Sequence, residues 1–264
     1  MTTVPVLMYH SVQAEPGPAT RRLSVHPRAF AAQLASLRER GFTAVSFGAL
    51  GHLLRTRATL PERAVVITFD DGYADLHREA LPLLAAHGCT ATVFVTTGWL
   101  ADAEQRAGRP LDQMLTWCQL AELAAAGIEI GAHSHSHAQL DQLAPASLAR
   151  ELRDSKALLE DRLGQRIATL AYPYGYSSRQ VRSDVEAAGY DVAASVRNTR
   201  VPAMADPWSV PRLTVRRSTS LAEFTRITDR DDTTSDYLPD RVLTAGYAGV
   251  RWTRRSVTRS RDRD

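Results

Sequence analysis

The chain has 264 residues, of which 44% are hydrophobic and 23% are charged. This composition excludes an intrinsically disordered, collagenous or disulfide-stapled chain and is sufficient for one large domain. The formal net charge of +3 arises in residues 251–264, which hold six Arg and two Asp. The rest of the chain holds 26 basic and 27 acidic residues, a net charge of −1, so we expect no nucleic-acid partner.

No targeting segment is visible at the start of the sequence. The first ten residues lack the basic stretch and the long apolar run of a secretory signal. No window reaches the ~18 apolar residues of a membrane span. We therefore expect no transmembrane segment and a cytoplasmic location, or an extracellular one if the start is mis-assigned.

Short apolar runs alternate with helical patterns along most of the chain, as in βαβ units. The predicted strands are residues 4–8, 42–46, 63–69, 90–96, 128–130, 168–172 and 191–194. The predicted helices are residues 27–40, 74–87, 116–126, 147–163 and 178–188, each followed by a glycine that suits a helix C-terminus. Residues 14–23 and the polar stretch after residue 229 show neither pattern.

Roughly seven such units predict an α/β fold, a closed or nearly closed (β/α) barrel in a single domain. We assign residues 1–228 to this domain and residues 229–264 to a polar linker and an Arg-rich, disordered tail. An open doubly wound sheet is the alternative. In both folds the functional groups lie where strands end and βα loops begin.

Two adjacent carboxylates, Asp70 and Asp71, follow the buried strand 63–69. Two anions this close raise each other's pKa unless cations or hydrogen-bond donors compensate them. The pair therefore suits one carboxylate that binds a metal ion and one that acts as a general base. An Asp that caps the next helix, with Gly72 in the turn, is the structural alternative.

Three histidines, His133, His135 and His137, follow the strand 128–130. In a helical turn His133 and His137 share one face, whereas in an extended segment all three histidines do. Gly131 interrupts the strand and therefore favours the turn, in which the His135 side chain points away from His133 and His137. Together with Asp71, the two remaining histidines make a two-His, one-carboxylate set that suits one divalent ion, Zn²⁺ first and Co²⁺, Ni²⁺ or Fe²⁺ as alternatives.

The residues at these strand ends resemble a known family. Thr68-Phe69-Asp70-Asp71-Gly72, His133-Ser-x-x-His137 and Tyr172-Pro173-Tyr174-Gly175 resemble, in order, the first three motifs of the NodB-homology polysaccharide deacetylases, carbohydrate esterase family four. The similarity extends from residue 4 to about residue 215. It implies a distorted β/α barrel that removes acetyl groups from a carbohydrate with the help of a divalent metal.

The resemblance also implies roles for individual residues. Asp70 is the expected base, and Asp71, His133 and His137 are the expected metal ligands. Tyr174, in the turn that begins at Pro173, is expected to donate its backbone N–H to the developing oxyanion.

The sequence departs from the usual family pattern in two places. No histidine follows His137, so the usual C-terminal general acid is missing. The run Val-Leu-Met-Tyr-His10-Ser resembles the subgroup of biofilm poly-N-acetylglucosamine deacetylases, which implies His10 as the acid. The arginine that orients the base in the family is also absent from its usual position. Arg166 and Arg212 are the candidates to replace it, and we prefer Arg212. Trp99 and Tyr176 suit either stacking on sugar rings or packing within their loops, and we assign them no role.

The resulting functional hypothesis is a metal-dependent hydrolase that deacetylates N-acetylated amino sugars in a polysaccharide, oligosaccharide or glycoconjugate. The alternatives are an esterase for O-acetylated, xylan-type glycans and a non-catalytic carbohydrate-binding barrel.

Overall fold

The computed structural model of the chain describes residues 3–202, 204–233 and 235–238. Within these residues, strands lie at β1 (Val6–Tyr9), β2 (Ser11–Val12), β3 (Ser24–Val25), β4 (Thr43–Val45), β5 (Ala64–Phe69), β6 (Thr92–Val95), β7 (Glu129–Ala132), β8 (Thr169–Ala171), β9 (Val192–Ala194) and β10 (Leu213–Thr214). All seven predicted strands are present, although their ends move by a few residues.

Eight of the strands form one parallel sheet in the order β10-β1-β5-β6-β7-β8-β9, with β4 beside the start of β5. The chain leaving β9 returns at Val210, which pairs with Ala194, and then enters β10 beside β1. The sheet is therefore curled and nearly closed, which confirms the distorted barrel. Because the strand order has no reversal between two halves, the doubly wound alternative is wrong.

The helices in the described residues are α1 (Pro27–Glu39), α2 (Phe47–Thr56), α3 (Leu81–Ala86), α4 (Trp117–Ala125), α5 (Pro145–Leu163), α6 (Arg179–Ala187) and α7 (Leu221–Asp229). The predicted helix 74–87 instead begins with a π-helical turn, Leu76–Ala80, ahead of α3. Pro82 is the second residue after this turn and has no N–H to donate back into it, which accounts for the irregular start.

Helix α2 was not predicted, because Gly48 and Gly51 weaken its helical pattern. Its Phe47 N–H and Gly48 N–H donate to Thr92 and Glu129, which begin β6 and β7. A Cβ atom at Gly51 would lie 2.5 Å from a methyl carbon of Val192, so only glycine allows this close approach. Helix α2 therefore covers the amino ends of the strands and leaves their carboxyl ends open.

Side chains of β5 alternate between two cores. Val65, Ile67 and Phe69 pack outward in the core beneath the helices, whereas Val66 packs in the inner core of the barrel. Continued alternation places Asp70, the next residue after β5, on the inner side at the open end. The strand thus determines where the first candidate side chain points.

The described residues beyond 228 also pack on the barrel. The Thr233 hydroxyl donates to the Asn198 carbonyl at 3.1 Å, and the Tyr237 hydroxyl donates to the Thr214 carbonyl at 2.8 Å. Residues 239–264 lie outside the described part of the chain, so the linker and tail stay a prediction. Among the described helices, none has both the length and the apolar character needed to cross a bilayer.

Candidate active site

The residues selected from the sequence follow different strands but meet at one end of the barrel. His10 follows β1, Asp70 and Asp71 follow β5, His133 follows β7 and Tyr174 lies just beyond β8. Since the strands are parallel, these positions share the carboxyl edge of the sheet. The barrel therefore brings side chains far apart in sequence into one site.

Asp71, His133 and His137 form a compact cluster. The Asp71 Oδ1 atom lies 3.4 Å from His133 Nε2 and 3.3 Å from His137 Nε2. One potential ligand atom from each residue falls within 4.8 Å of the other two. Asp71 and His133 are buried and His137 is half-buried, so the cluster lies mostly below the protein surface.

The hydrogen bonds around this cluster fit a cation. The Ala171 carbonyl accepts a hydrogen bond from His133 Nδ1 at 2.8 Å, so in the neutral imidazole the lone pair is on Nε2. That lone pair faces Asp71 Oδ1, a buried acceptor without a hydrogen-bond partner. Two acceptors that face each other need a positive charge between them, either a proton or a metal ion. Burial lowers the pKa of His133, but the negative charges of Asp70 and Asp71 raise it overall, so the cluster attracts positive charge. The three residues therefore fit a divalent metal ion.

The loop that carries the histidines is not the helical turn expected from the sequence. Ser134 and His137 both adopt left-handed backbone conformations, with φ of 63° and 61°. The Ser134 hydroxyl accepts a hydrogen bond from the His137 N–H at 3.0 Å, which closes the loop and turns His137 back toward His133. His135 points elsewhere, as expected, and its Nδ1 lies 2.9 Å from the Thr97 hydroxyl.

Glu151 of α5 holds this loop from outside. Its carboxylate accepts hydrogen bonds from the His135 and Ser136 N–H groups, both at 2.9 Å, and from the Ser136 hydroxyl. Sequence reasoning missed this residue, because nothing in the helical pattern of α5 distinguishes it from the other charged positions. The contact fixes the segment between the two candidate ligands.

Replacing Glu151 with glutamine is expected to weaken divalent metal binding about tenfold, because groups that orient metal ligands typically contribute 10- to 100-fold in affinity. Chelator competition on the purified variant measures the change. Glu160→Gln is the matched control, since Glu160 lies on the same helix and accepts the Ile167 N–H at 2.9 Å, away from the loop. Equal metal affinities of the two variants would contradict the role given to Glu151.

Asp70 forms a buried ion pair with Arg212. The two guanidinium nitrogens lie 2.6 and 2.7 Å from the two carboxylate oxygens, and Arg212 also donates to the Thr68 hydroxyl at 3.2 Å. Burial raises the pKa of the Asp70 carboxyl, but the charge of Arg212 and its hydrogen bonds bring that pKa below its usual value. Asp70 is therefore ionised at neutral pH and separate from the Asp71 cluster.

The structure also distinguishes the two arginine candidates. Arg212 lies just before β10 and its side chain is fully buried beside Asp70. Arg166 lies before β8, at the opposite end of the barrel, and pairs with Asp191 near the surface. Arg212 is thus the arginine that contacts Asp70, and its role in orienting a base stays a prediction.

His10 lies beside the carboxylate pair. Tyr9 pairs with Phe69 in the ladder between β1 and β5, so His10 and Asp70 are the next residues along adjacent strands. The Asp70 N–H donates to the Tyr9 carbonyl at 3.0 Å, which extends the pairing. Interaction with the His10 imidazole contributes to the lowered pKa of both Asp70 and Asp71. His10 is half-buried at the mouth of the barrel.

Aromatic rings surround His137. The Trp99 ring stacks on it at a centroid distance of 4.6 Å, and the Tyr174 ring meets it edge-on at 4.7 Å. Tyr176 stacks on Tyr174 at 6.1 Å, and Tyr174 is 53% exposed. Tyr174 has φ 60° within the Pro173–Gly175 turn, and the contact of its ring with His137 places this turn beside the Asp71 cluster. Trp99 contacts the site closely, which the sequence alone did not indicate.

Comparison with known proteins identifies the family. The family described as "Polysaccharide deacetylase" matches residues 57–193, which is more than half of the chain. The chain belongs to the polysaccharide deacetylase family, an enzyme family of hydrolases, as the motifs predicted. The matched segment includes Asp70, Asp71, His133, His137 and Tyr174 but neither His10 nor Arg212.

Individual relatives extend the comparison. The Bacillus subtilis (strain 168) protein named "Putative polysaccharide deacetylase YxkH" is 29% identical over 73% of this chain. The Escherichia coli (strain K12) poly-beta-1,6-N-acetyl-D-glucosamine N-deacetylase is 27% identical over 83% of this chain. The matches span only 64% and 37% of the length of these two relatives.

A solved structure shows the same fold. The Streptococcus pyogenes deacetylase PplD, in complex with acetate, superposes with a TM-score of 0.78 at 24% identity. The match covers 87% of this chain and 99% of that one.

Proposed function

We propose that this protein is a metal-dependent deacetylase of N-acetylated amino sugars in a polysaccharide, oligosaccharide or glycoconjugate. The observation that carries the proposal is the Asp71, His133 and His137 cluster beside a separate, ionised Asp70. The family and the E. coli relative named as an N-deacetylase of a poly-N-acetylglucosamine support the substrate class.

Asp71, His133 and His137 would hold one divalent ion, for which we propose Zn²⁺, with Co²⁺, Ni²⁺ or Fe²⁺ as alternatives. This ion would polarise an acetyl carbonyl and lower the pKa of a water molecule. Asp70 takes a proton from the attacking water, and Arg212 keeps its carboxylate ionised and oriented. The Tyr174 backbone N–H donates to the oxyanion. His10 protonates the departing nitrogen, so the C–N bond breaks and one water is consumed to give acetate and a free amine.

Acetate release from three substrate classes tests this proposal: β-1,6- and β-1,4-linked N-acetylglucosamine oligomers and an O-acetylated xylan. We expect metal-dependent release from an amide substrate, with mass spectrometry showing the free amino sugar. Release from xylan alone would make the protein an esterase. Binding of the oligomers without release from any substrate would support a non-catalytic carbohydrate-binding barrel.

The Asp70–Arg212 pair predicts a defined pH dependence. Asp70 acts as a base only when ionised, so activity falls as the pH drops through its pKa. In Arg212→Met, burial is no longer offset by the guanidinium charge and the pKa of Asp70 rises. The acid limb of kcat/KM against pH should therefore move upward by about one to three pH units. Arg212→Lys retains the charge and should move the limb less, and an unmoved limb in Arg212→Met would argue against Asp70 as the base.

A further inference from the structure

One buried carboxylate at the open end of the barrel is used neither by the metal-ligand cluster nor by the base. Asp75 is 3% exposed and lies between Asp71 and the π-helical turn. Its Oδ2 accepts a hydrogen bond from the Ser11 hydroxyl at 2.7 Å, and its Oδ1 accepts one from the Val12 N–H at 2.8 Å. Asp75 thus ties the loop after β5 to β2.

Strand β2 is also attached to the fold by packing and pairing, since Val12 is fully buried in the hydrophobic core. It pairs with β3 through Ser11 opposite Ser24 and Val12 opposite Val25, and the Ser24 and Ser11 hydroxyls lie 2.9 Å apart. This two-stranded ladder is separate from the barrel sheet. The Asp75 carboxylate therefore joins this ladder to the loop after β5 by two hydrogen bonds, in addition to the packing of Val12.

His10 is the single residue between β1 and β2. On its amino side, the Tyr9 carbonyl accepts a hydrogen bond from the Asp70 N–H at 3.0 Å. On its carboxyl side, Ser11 and Val12 both donate to Asp75. The loop that carries Asp70 thus fixes the backbone on both sides of His10, and only the carboxyl-side attachment depends on a side chain of that loop.

We propose that Asp75 is a positioning residue that fixes the His10 imidazole for proton donation to the leaving group. This inference rests on the proposed function, in which His10 is the general acid. Proton transfer needs the donor within hydrogen-bond reach of the leaving atom, and a displacement of about 1 Å can cost on the order of 100-fold in rate. Loss of the Asp75 contacts frees the backbone beside His10 without touching Asp70 or the metal ligands.

The test compares two leaving groups. An amide nitrogen must be protonated as it departs, whereas the phenolate of 4-nitrophenyl acetate departs without a proton. His10→Gln is expected to lose about 10²–10⁴-fold in amide hydrolysis and little in aryl ester hydrolysis. Asp75→Asn should show the same selective loss at about 10- to 100-fold, with unchanged metal content.

Glu129→Gln is the matched control. The Glu129 carboxylate also accepts one hydroxyl, from Thr92 at 2.6 Å, and one backbone N–H, from Gly48 at 3.0 Å, but at the amino end of the barrel. Its ratio of amide to ester activity should equal that of the wild type. Ser11→Ala removes one of the two Asp75 contacts and replaces Asp75→Asn in the test if that variant does not fold.

The outcomes separate this inference from the function on which it rests. His10→Gln first has to be selective for the amide. If Asp75→Asn then loses activity equally on both substrates, or loses none on the amide, the role of Asp75 alone is overturned. A non-selective His10→Gln would remove the acid assignment and the role of Asp75 together. A wild-type protein that releases no acetate from any amide would refute the proposed function itself.

Discussion

Replacing Asp70 with asparagine is expected to lower kcat for acetate release by about 10²–10⁴-fold, the usual contribution of a general base. Asparagine keeps the size of the side chain but cannot take a proton. Metal content should stay at the wild-type level, because Asp70 binds Arg212 and lies outside the Asp71 cluster. Steady-state kinetics together with elemental analysis of the same preparation measure both quantities.

Asp191→Asn provides the control for this variant. Asp191 also binds an arginine through both carboxylate oxygens, at 2.5 and 2.9 Å from Arg166, but at the other end of the barrel. Replacing Asp191 should leave kcat unchanged. The comparison therefore distinguishes the effect of losing an Asp–Arg ion pair from the effect of losing the base. Near-normal turnover in Asp70→Asn would show that another group accepts the proton.

Replacing His133 with glutamine is expected to abolish metal binding and reduce acetate release to the rate of the uncatalysed reaction. His133 offers its Nε2 lone pair to the cluster and is fixed by the Ala171 carbonyl, whereas a glutamine amide is a weaker metal ligand on a more flexible side chain. Metal content should fall from about one equivalent per chain to background. Elemental analysis after dialysis against buffered metal measures this change.

His135→Gln is the control, since His135 belongs to the same loop and its Nδ1 faces the Thr97 hydroxyl. This variant should retain its metal and most of its activity. If both substitutions lowered the metal content equally, the loop as a whole and not the Asp71 cluster would be responsible for binding.

The barrel was predictable because its main strands are apolar runs with polar residues at their carboxyl ends. The six residues of β5 are all buried. Asp70 and Asp71 follow them directly at the carboxyl end of the strand, where functional side chains are expected. The spacing of His133 and His137 likewise indicated a shared site. These features are local in sequence, so they could be recognised without the structure.

Other features depend on tertiary contacts and were missed or left open. Strands β2, β3 and β10 have two residues each, too few for a periodic pattern. The Asp70–Arg212 pair joins residues 142 positions apart, so the sequence could only offer Arg212 beside Arg166. The left-handed backbone of Ser134 is stabilised by its own hydroxyl in the closed loop, which a helical pattern could not indicate.

In the proposed function, acetate release depends on a metal ion held by Asp71, His133 and His137. The most direct test titrates Zn²⁺ into chelator-stripped protein and follows acetate release from an N-acetylglucosamine oligomer. We expect no release without metal and a linear rise that ends at about one equivalent per chain. Full activity of the stripped protein, or an equal response of His133→Gln to added Zn²⁺, would show that acetate release does not depend on a metal ion at these residues.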